Sequence, residues 1–176
     1  LVWVTNRSGS SISVIDPATL TVSRTVGLPR ASLPYGIAFA PTGGFAFVAL
    51  EGTGQVLKYD VASFARVATA AVGANPRHVS VSADGASVYV SRFVTPPLPG
   101  ESAASVLPGT AGGEVVGLSA ATQAPQRTIV LGYSSLPDFE NQGSGVPNYL
   151  GAASISPDGT QAWVPSKQDN VARGVA

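Results

Sequence analysis

The sequence predicts an all-β protein built from a repeated four-stranded unit. An aromatic residue followed by valine recurs behind glycine-containing turns, and the first two steps between these pairs are 44 and 42 residues. The third step, 74 residues, fits one period enlarged by an insertion. A period of about 40–45 residues is typical of the blades of a β-propeller. The four pairs are Trp3-Val4, Phe47-Val48, Tyr89-Val90 and Trp163-Val164.

Each repeat begins at a proline, continues with an alternating segment and reaches a hairpin turn before the aromatic strand. Alternation at period 2 is typical of strands. Asp-Gly or Thr-Gly between two strands marks a short turn, because glycine accepts the positive φ that such turns require. Third and fourth strands are expected after each aromatic strand. The proline-to-turn segments are residues 34–43, 76–85 and 147–159.

Strand counting predicts a partial β-propeller of four-stranded antiparallel blades, two complete and two partial. Closing the predicted strands on themselves would give a ring of three blades, whereas closed propellers have about 4–8. The chain is therefore expected to be a fragment of a larger propeller, and the absence of methionine agrees with this expectation. The predicted units are a partial blade at 1–28, a blade at 34–73, an enlarged blade at 76–131 and a partial blade at 147–176.

Short oxygen-bearing side chains recur at the end of each third strand. Asp16, Asp60 and Ser119 each stand three residues before a threonine or serine. Such side chains hydrogen-bond backbone N–H groups a few residues on, which is the chemistry of tight turns. We therefore interpret the aspartates as turn residues, and paired acids for hydrolysis are not predicted.

Composition excludes several classes of function. Ten basic and ten acidic residues give zero formal net charge, without the clustered Lys and Arg that nucleic acid or anionic lipid requires. The absence of cysteine excludes disulfides, thiolate catalysis and covalent haem attachment through C-x-x-C-H. No apolar run reaches the roughly 18–20 residues of a membrane span. No nucleic-acid partner, membrane span or cofactor is predicted.

Several segments resemble the YVTN β-propeller repeat family, and the resemblance covers nearly the whole chain. It is carried by Trp3-Val4-Thr5-Asn6 and by residues 13–19 and 34–38. Later copies keep the aromatic-valine core and lose the Thr-Asn. The resemblance implies a prokaryotic exported protein, in the periplasm or at the cell surface. Low charge and abundant Ser, Thr, Gly and Ala agree with that location.

The antiparallel order of a blade predicts which connections share a face. Loops that join strand two to strand three, and strand four to the next blade, emerge together; both long connections, residues 93–113 and 133–146, belong to this class. We name this side the long-loop face and the opposite side the tight-turn face. Function concentrates on loops held by a rigid scaffold. The candidate ligand-binding residues, at the starts of the innermost strands on the long-loop face, are Tyr35, Arg77, His78, Asn148 and Tyr149.

His78, the only histidine, has two interpretations. It is either a hydrogen-bonded structural residue or a general base at the channel mouth, with Arg77 as an anion clamp. Residues 73–79 resemble the Gly-x-x-Pro-Arg-His segment of propeller lactonases, in which Arg and His face the substrate. Adjacent strand residues point to opposite sides, so both would face the channel only if the backbone is irregular there.

Two further segments bear on metal and redox chemistry. Asp138, Glu140 and Asn141 form a dense oxygen cluster, but calcium takes about 6–8 oxygen ligands, so no metal site is predicted. Residues 162–170 resemble a segment of large exported bacterial propeller proteins, some of which carry a di-haem peroxidase-like cytochrome region. That resemblance implies a redox neighbour in the full protein, although this chain holds no haem motif.

The sequence thus favours a binding or surface scaffold whose long-loop face contacts a protein, a glycan or a neighbouring domain. The alternative is a lactonase-like hydrolase in which Arg77 and His78 carry the catalysis at the central channel. A propeller module attached to a cytochrome region is a further alternative.

Overall fold

The computed structural model describes residues 1–94, 112–136 and 145–169, and every regular element in these ranges is a β-strand. The strands pair as one three-stranded sheet, two four-stranded sheets and two short two-stranded ribbons. The strands are β1 (Val2–Asn6), β2 (Ser11–Asp16), β3 (Thr21–Gly27), β4 (Pro34–Phe39), β5 (Phe45–Leu50), β6 (Gln55–Asp60), β7 (Arg66–Ala71), β8 (Pro76–Val81), β9 (Ser87–Arg92), β10 (Gly113–Ser119), β11 (Pro125–Leu131), β12 (Val146–Asn148), β13 (Ser154–Ile155), β14 (Ala162–Trp163) and β15 (Lys167–Asp169).

All pairings between these strands are antiparallel, and all join strands consecutive in sequence except the pairing of β12 with β15, which encloses the β13–β14 pair. We call β1–β3 sheet 1, β4–β7 sheet 2 and β8–β11 sheet 3, and we call the two ribbons of β12–β15 together sheet 4. The sequence predicts thirteen strands, and the described residues form fifteen. The difference lies in sheet 4, where the first two strands of the repeat are each split in two. Three extra residues separate Pro147 from Ser154 relative to the other repeats, and Pro165 interrupts the partner strand because it lacks an N–H.

The repeated aromatic residues occupy equivalent positions in their sheets. Trp3 pairs with Val14, Phe47 with Lys58 and Tyr89 with Gly117, and these partners all lie two residues before the end of the third strand. Trp163 pairs with Ser154 in the first strand of its repeat, as Phe47 pairs with Ala38. The register therefore follows the sequence repeat.

Sheet 2 buries both of its faces, as the aromatic-valine pattern predicts. Phe47 packs in a core cluster with residues of sheet 3, including Val90 and Leu118. Its strand neighbour Val48 points to the other side and packs with Trp3 and other residues of sheet 1. Alternating side chains of one strand thus hold two neighbouring sheets together.

The innermost strands β4 and β8 approach each other closely at Gly36. A Cβ at this position would lie 2.3 Å from the backbone oxygen of Arg77 and 3.0 Å from the Cα of His78. Each strand also carries one extra residue near its start, between Pro34 and Ile37 in β4 and between Pro76 and His78 in β8. Such bulges re-aim side chains at the rims of β structures.

The tight-turn face is closed by aspartate-centred turns. The Asp60 carboxylate accepts hydrogen bonds from the Ser63 backbone N–H (2.8 Å) and hydroxyl (2.6 Å). Asp16 accepts one from the Ala18 N–H at 2.8 Å. These contacts give the turn aspartates a structural role. Within the described ranges, no helix is long and apolar enough to span a bilayer.

Candidate functional site

Side chains from all four sheets meet on the long-loop face, near the end of the second strand of each repeated unit. We call this set the channel-mouth belt, since it lies beside the starts of the innermost strands. Successive members contact one another through ion pairs or ring contacts. In order across the sheets, its members are Arg7, Glu51, Arg77, Phe93, Tyr149 and Lys167.

Glu51 is the electrostatic centre of the belt. Its side chain is 9% exposed, and its two oxygens bind arginines from different sheets. Oε1 accepts from Nε of Arg77 at 2.7 Å, and Oε2 accepts from Nη2 and Nε of Arg7 at 2.8 and 3.1 Å. Burial alone would raise the pKa of Glu51, but hydrogen bonds from both arginines and their positive charges outweigh it, so the pKa is lowered. The carboxylate is therefore ionised at neutral pH and ties sheets 1, 2 and 3 together.

Arg77 lies between aromatic rings as well as beside Glu51. Its Cζ is 3.4 Å from the ring centroid of Phe93 and 5.0 Å from that of Tyr35. A guanidinium stacked on aromatic rings is held in one orientation and gains cation–π attraction. Its side chain is 21% exposed, so part of the cation still faces solvent.

The bulge in β8 brings His78 and Arg77 to the same ring, Tyr35. The imidazole meets that ring edge to face, with centroids 5.4 Å apart. Arg77 is the unpaired residue of the bulge, so the alternation of the strand is broken at this point. Burial, with a smaller effect of the neighbouring Arg77 charge, lowers the pKa of His78 below 6.5. The imidazole is neutral at pH 7, and no described residue hydrogen-bonds it.

Tyr149 extends the belt into sheet 4. Its ring meets Phe93 edge to face at 5.1 Å, and Nζ of Lys167 lies 5.3 Å from its centroid. Tyr149 has φ of 52°, a left-handed conformation that is uncommon outside glycine and asparagine. Asn148 supports this backbone, since its Oδ1 accepts the Tyr149 N–H at 3.0 Å. The structure thus brings Tyr35, Arg77 and His78 into direct contact, with Tyr149 joined through Phe93.

Four belt residues are absent from the sequence-predicted site, although a sequence signal identifies them. Each stands four residues after a repeated aromatic residue, and these positions are filled by two cations, one anion and one aromatic ring. The predicted candidates instead come from the starts of the first strands. The belt combines four residues of the first kind with two of the predicted candidates, Arg77 and Tyr149. The four residues are Arg7, Glu51, Phe93 and Lys167.

The oxygen cluster Asp138, Glu140 and Asn141 lies outside the described residues. The same holds for most of the long connection 93–113. Among the residues that the structure describes, no group of three or more His, Cys, Asp or Glu side chains is placed to hold a metal ion.

Comparisons with known proteins address the fold. No family model matches the chain, and no curated protein matches it. Among solved structures it is similar to the Kuenenia stuttgartiensis hydrazine synthase, with a TM-score of 0.63 and 22% identity over 89% of this chain and 36% of that chain. It is also similar to the dihydro-haem d1 dehydrogenase NirN in complex with DHE, with a TM-score of 0.57 and 20% identity over 94% of this chain and 39% of that chain.

These neighbours are propeller proteins. The chain is a partial β-propeller. It spans less than two fifths of the length of either neighbour, and identities of 20–22% show the fold alone.

The belt, together with Tyr35 and His78 beside Arg77, combines three kinds of group in one place. The rings of Tyr35 and Tyr149 are 39% and 43% exposed and present apolar surface with a hydroxyl. Arg77 supplies a fixed cation, and neutral His78 supplies one donor and one acceptor. Rigid aromatics with a stacked arginine are typical of binding hot spots.

Proposed function

We propose that this propeller is a binding or surface scaffold whose long-loop face takes a macromolecular ligand, and that the channel-mouth belt is the centre of that contact. The ligand is a protein, a glycan or a neighbouring domain of the same polypeptide. The proposal rests chiefly on one observation. The core positions of the repeat carry similar residue types, whereas the positions at the channel mouth carry different ones.

The contrast is clearest within one strand. The repeated aromatic is always Trp, Phe or Tyr and is always followed by valine, and Trp3, Phe47, Val48 and Val90 of these pairs lie in the two core clusters between sheets. Four residues further on, directly after β1, β5 and β9 and at the start of β15, stand Arg7, Glu51, Phe93 and Lys167. Packing does not require this variety, whereas recognition of one particular ligand does.

The proposal extends to family and location. The repeat motifs support a YVTN-type propeller, and the sparse charge with abundant small polar residues supports export to the periplasm or the cell surface. Fractionation of the producing cells tests this directly. We expect the protein in the extracytoplasmic fraction, and its recovery with cytosolic markers would contradict the assignment.

Affinity capture with matched variants tests the binding role. Tyr35→Ser with Tyr149→Asn removes two exposed rings of the mouth, and Asn tolerates the positive φ at position 149. Leu20→Ser removes a large apolar side chain from a turn on the tight-turn face, the most exposed of its kind among the described residues at 82%. We expect a ligand retained by the wild type and by Leu20→Ser to be lost by the mouth variant. Equal retention by all three proteins would contradict the proposal.

A lactonase-like hydrolase is the second candidate, favoured by the contact of Arg77 and His78 with one ring. Water would add to the lactone carbonyl carbon and the ring C–O bond would break. His78 would take the proton from water and return it to the leaving alkoxide, a role that its lowered pKa allows at neutral pH. Two features weigh against it: Glu51 already neutralises Arg77, and no described residue orients the imidazole by a hydrogen bond.

Replacing His78 tests this candidate. Loss of a general base typically lowers the rate by about 10²–10⁴. His78→Ala is therefore expected to abolish most lactone hydrolysis if the chain has this activity. Tyr35→Phe, which keeps the ring beside the imidazole, is the control. Hydrolysis that survives His78→Ala unchanged would exclude the catalytic assignment.

A redox neighbour is the third candidate, supported by one structural neighbour being a dihydro-haem d1 dehydrogenase. With no cysteine and one histidine, this chain lacks covalent attachment and bis-histidine ligation. The propeller would then stand beside a cytochrome region without carrying the haem itself. Haem added to the chain is expected to give no saturable Soret shift. A saturable shift that disappears in His78→Ala would overturn that assignment.

A further inference from the structure

A buried lysine lies at the floor of a groove on the tight-turn face, between sheets 2 and 3. The Lys58 side chain belongs to β6, and the residue is 7% exposed. Its Nζ donates to the backbone oxygens of Ala120 and Ala121, at 2.8 and 3.2 Å, and lies 4.0 Å from the ring centroid of Phe45. No carboxylate of the described residues is within salt-bridge distance of it.

The fold does not require a cation at this position. Lys58 pairs with the repeated aromatic Phe47, and the equivalent partners in sheets 1 and 3 are Val14 and Gly117. Both of those positions are also buried, and those sheets pack without a charge there. Burying an ammonium group without a counter-ion costs several kcal/mol in general. A lysine that breaks the repeat at this cost indicates a role beyond packing.

The groove above Lys58 has the size and lining of a small-molecule site. Its volume is about 650 Å³, within the range of about 300–1,000 Å³ that ligand pockets occupy. Much of the wall is apolar, with Pro41, Phe45 and Ala86 among its residues. Gln126 supplies a side-chain amide.

Asp84 limits the charge that a ligand can carry. It also lines the groove, and its Oδ1 accepts from the Ser82 hydroxyl (2.5 Å) and the Ala86 N–H (2.9 Å). The Ser82 hydroxyl, and then the Ala86 N–H, hold the pKa of Asp84 below its usual range, so this wall stays negative at neutral pH. Asp84 opposes any anion in the groove, and each further negative charge adds to the repulsion, so a single carboxylate directed at Lys58 is the anion that the groove tolerates best.

We propose that the groove between sheets 2 and 3 binds a small monocarboxylic acid, with its carboxylate paired to Lys58 and its apolar body against Phe45 and the alanines. The bound carboxylate supplies the counter-ion that the described residues lack. This site lies on the opposite face from the channel-mouth belt, and it stands whether or not the belt binds a ligand.

Ligand-observed NMR with hexanoate as the probe tests the proposal on the wild-type chain. Saturation-transfer titrations should show saturable binding of hexanoate, and hexanamide, its neutral analogue of similar size, should bind at least about tenfold more weakly, because hydrogen bonds to charged groups contribute about 1.5–3 kcal/mol. Absence of saturable hexanoate binding would overturn the proposal. Equal binding of hexanoate and hexanamide would overturn it as well, and neither result depends on a variant.

Two substitutions locate the site. Lys58→Met keeps the length and removes the charge, so hexanoate should bind about 10- to 100-fold more weakly. Asp84→Asn removes the negative wall, so hexanoate should bind more tightly. Arg66→Met, which removes an exposed cation from the neighbouring strand, should leave the affinity unchanged. Unchanged hexanoate affinity in Lys58→Met would refute the assignment. A loss in Arg66→Met equal to that in Lys58→Met, or unchanged affinity in Asp84→Asn, would also place the acid elsewhere and refute it.

Discussion

Glu51→Gln is expected to loosen the junction of three sheets at the channel mouth. The carboxylate is 9% exposed and is bound by Arg7 from sheet 1 and Arg77 from sheet 3. Glutamine keeps the shape and one acceptor oxygen but removes the charge. The arginines then lose their shared counter-ion, and Arg77 is left partly buried without it.

The magnitude follows from the unequal exposure of the two partners. The Arg7 side chain is 44% exposed, and exposed ion pairs contribute about 0–1 kcal/mol. The Arg77 side chain is 21% exposed and bonds at 2.7 Å, and hydrogen bonds to charged groups contribute about 1.5–3 kcal/mol. Since glutamine retains part of the bonding, we expect Glu51→Gln to lower the free energy of unfolding by about 2 kcal/mol, with most of the loss due to Arg77.

Urea unfolding of a double-mutant cycle measures this coupling. Glu51→Gln, Arg77→Met and the double variant should show a coupling energy of about 1–2 kcal/mol, since contacting residues are not additive. Arg7→Met is the matched control and should cost less than about 1 kcal/mol. Additive effects of Glu51→Gln and Arg77→Met would refute the reasoning, because the two side chains would then not share an interaction.

The pH dependence of the same variant has a definite sign. The pKa of Glu51 is lowered from its ordinary value of 4.5, so its contribution to stability is present above pH 4.5 and is lost as the pH falls through the lower folded-state pKa. The stability difference between wild type and Glu51→Gln should therefore be largest at neutral pH and shrink below pH 4.5. A difference that is constant from pH 7 to pH 3 would contradict the lowered pKa.

Gly36→Ala is expected to lower the free energy of unfolding by at least about 1–3 kcal/mol, because the new Cβ would lie 2.3 Å from a backbone oxygen that cannot rotate away. Gly27→Ala is the control, since no atom lies within 4 Å of its new Cβ. Equal losses in urea unfolding would contradict the close approach of β4 and β8. The NMR titration midpoint of the C2–H signal of His78, the only histidine, should lie below pH 6.5, because burial and then the Arg77 charge lower its pKa. In Arg77→Met the midpoint should move closer to 6.5. A midpoint at or above 6.5 in the wild type would contradict the burial of the imidazole. Because the charged imidazole is disfavoured in the folded state, the His78 contribution to stability should decline as the pH falls below 6.5, and this decline should be absent in His78→Gln.

Local sequence patterns predict the strands of sheets 1 to 3 but not the split strands of sheet 4. Alternation and glycine turns predict strands from local sequence, and the register of Trp3, Phe47, Tyr89 and Trp163 follows the repeat. In sheet 4 the three extra residues after Pro147 split the first strand, since an insertion breaks the ladder without changing the alternation on either side.

The candidate site could be predicted only in part. The shared face of Tyr35, Arg77 and His78 follows from strand direction. The ion pairs of Glu51 depend on how neighbouring sheets pack, and alternation within one strand contains no information about that packing. The bulge that turns Arg77 and His78 towards one ring lies where β4 approaches β8 at Gly36, a contact between sheets that alternation within one strand does not predict.

Site-specific photo-crosslinking in the producing cells tests most directly the claim that the long-loop face is the binding surface. A photoreactive phenylalanine analogue would replace Tyr35 or Tyr149 at the mouth, and Leu20 on the tight-turn face as the control. We expect both mouth positions to form covalent adducts with the same macromolecule and the Leu20 position to form none with it. Adducts from Leu20 alone, or the same adduct in equal yield from all three positions, would contradict the account.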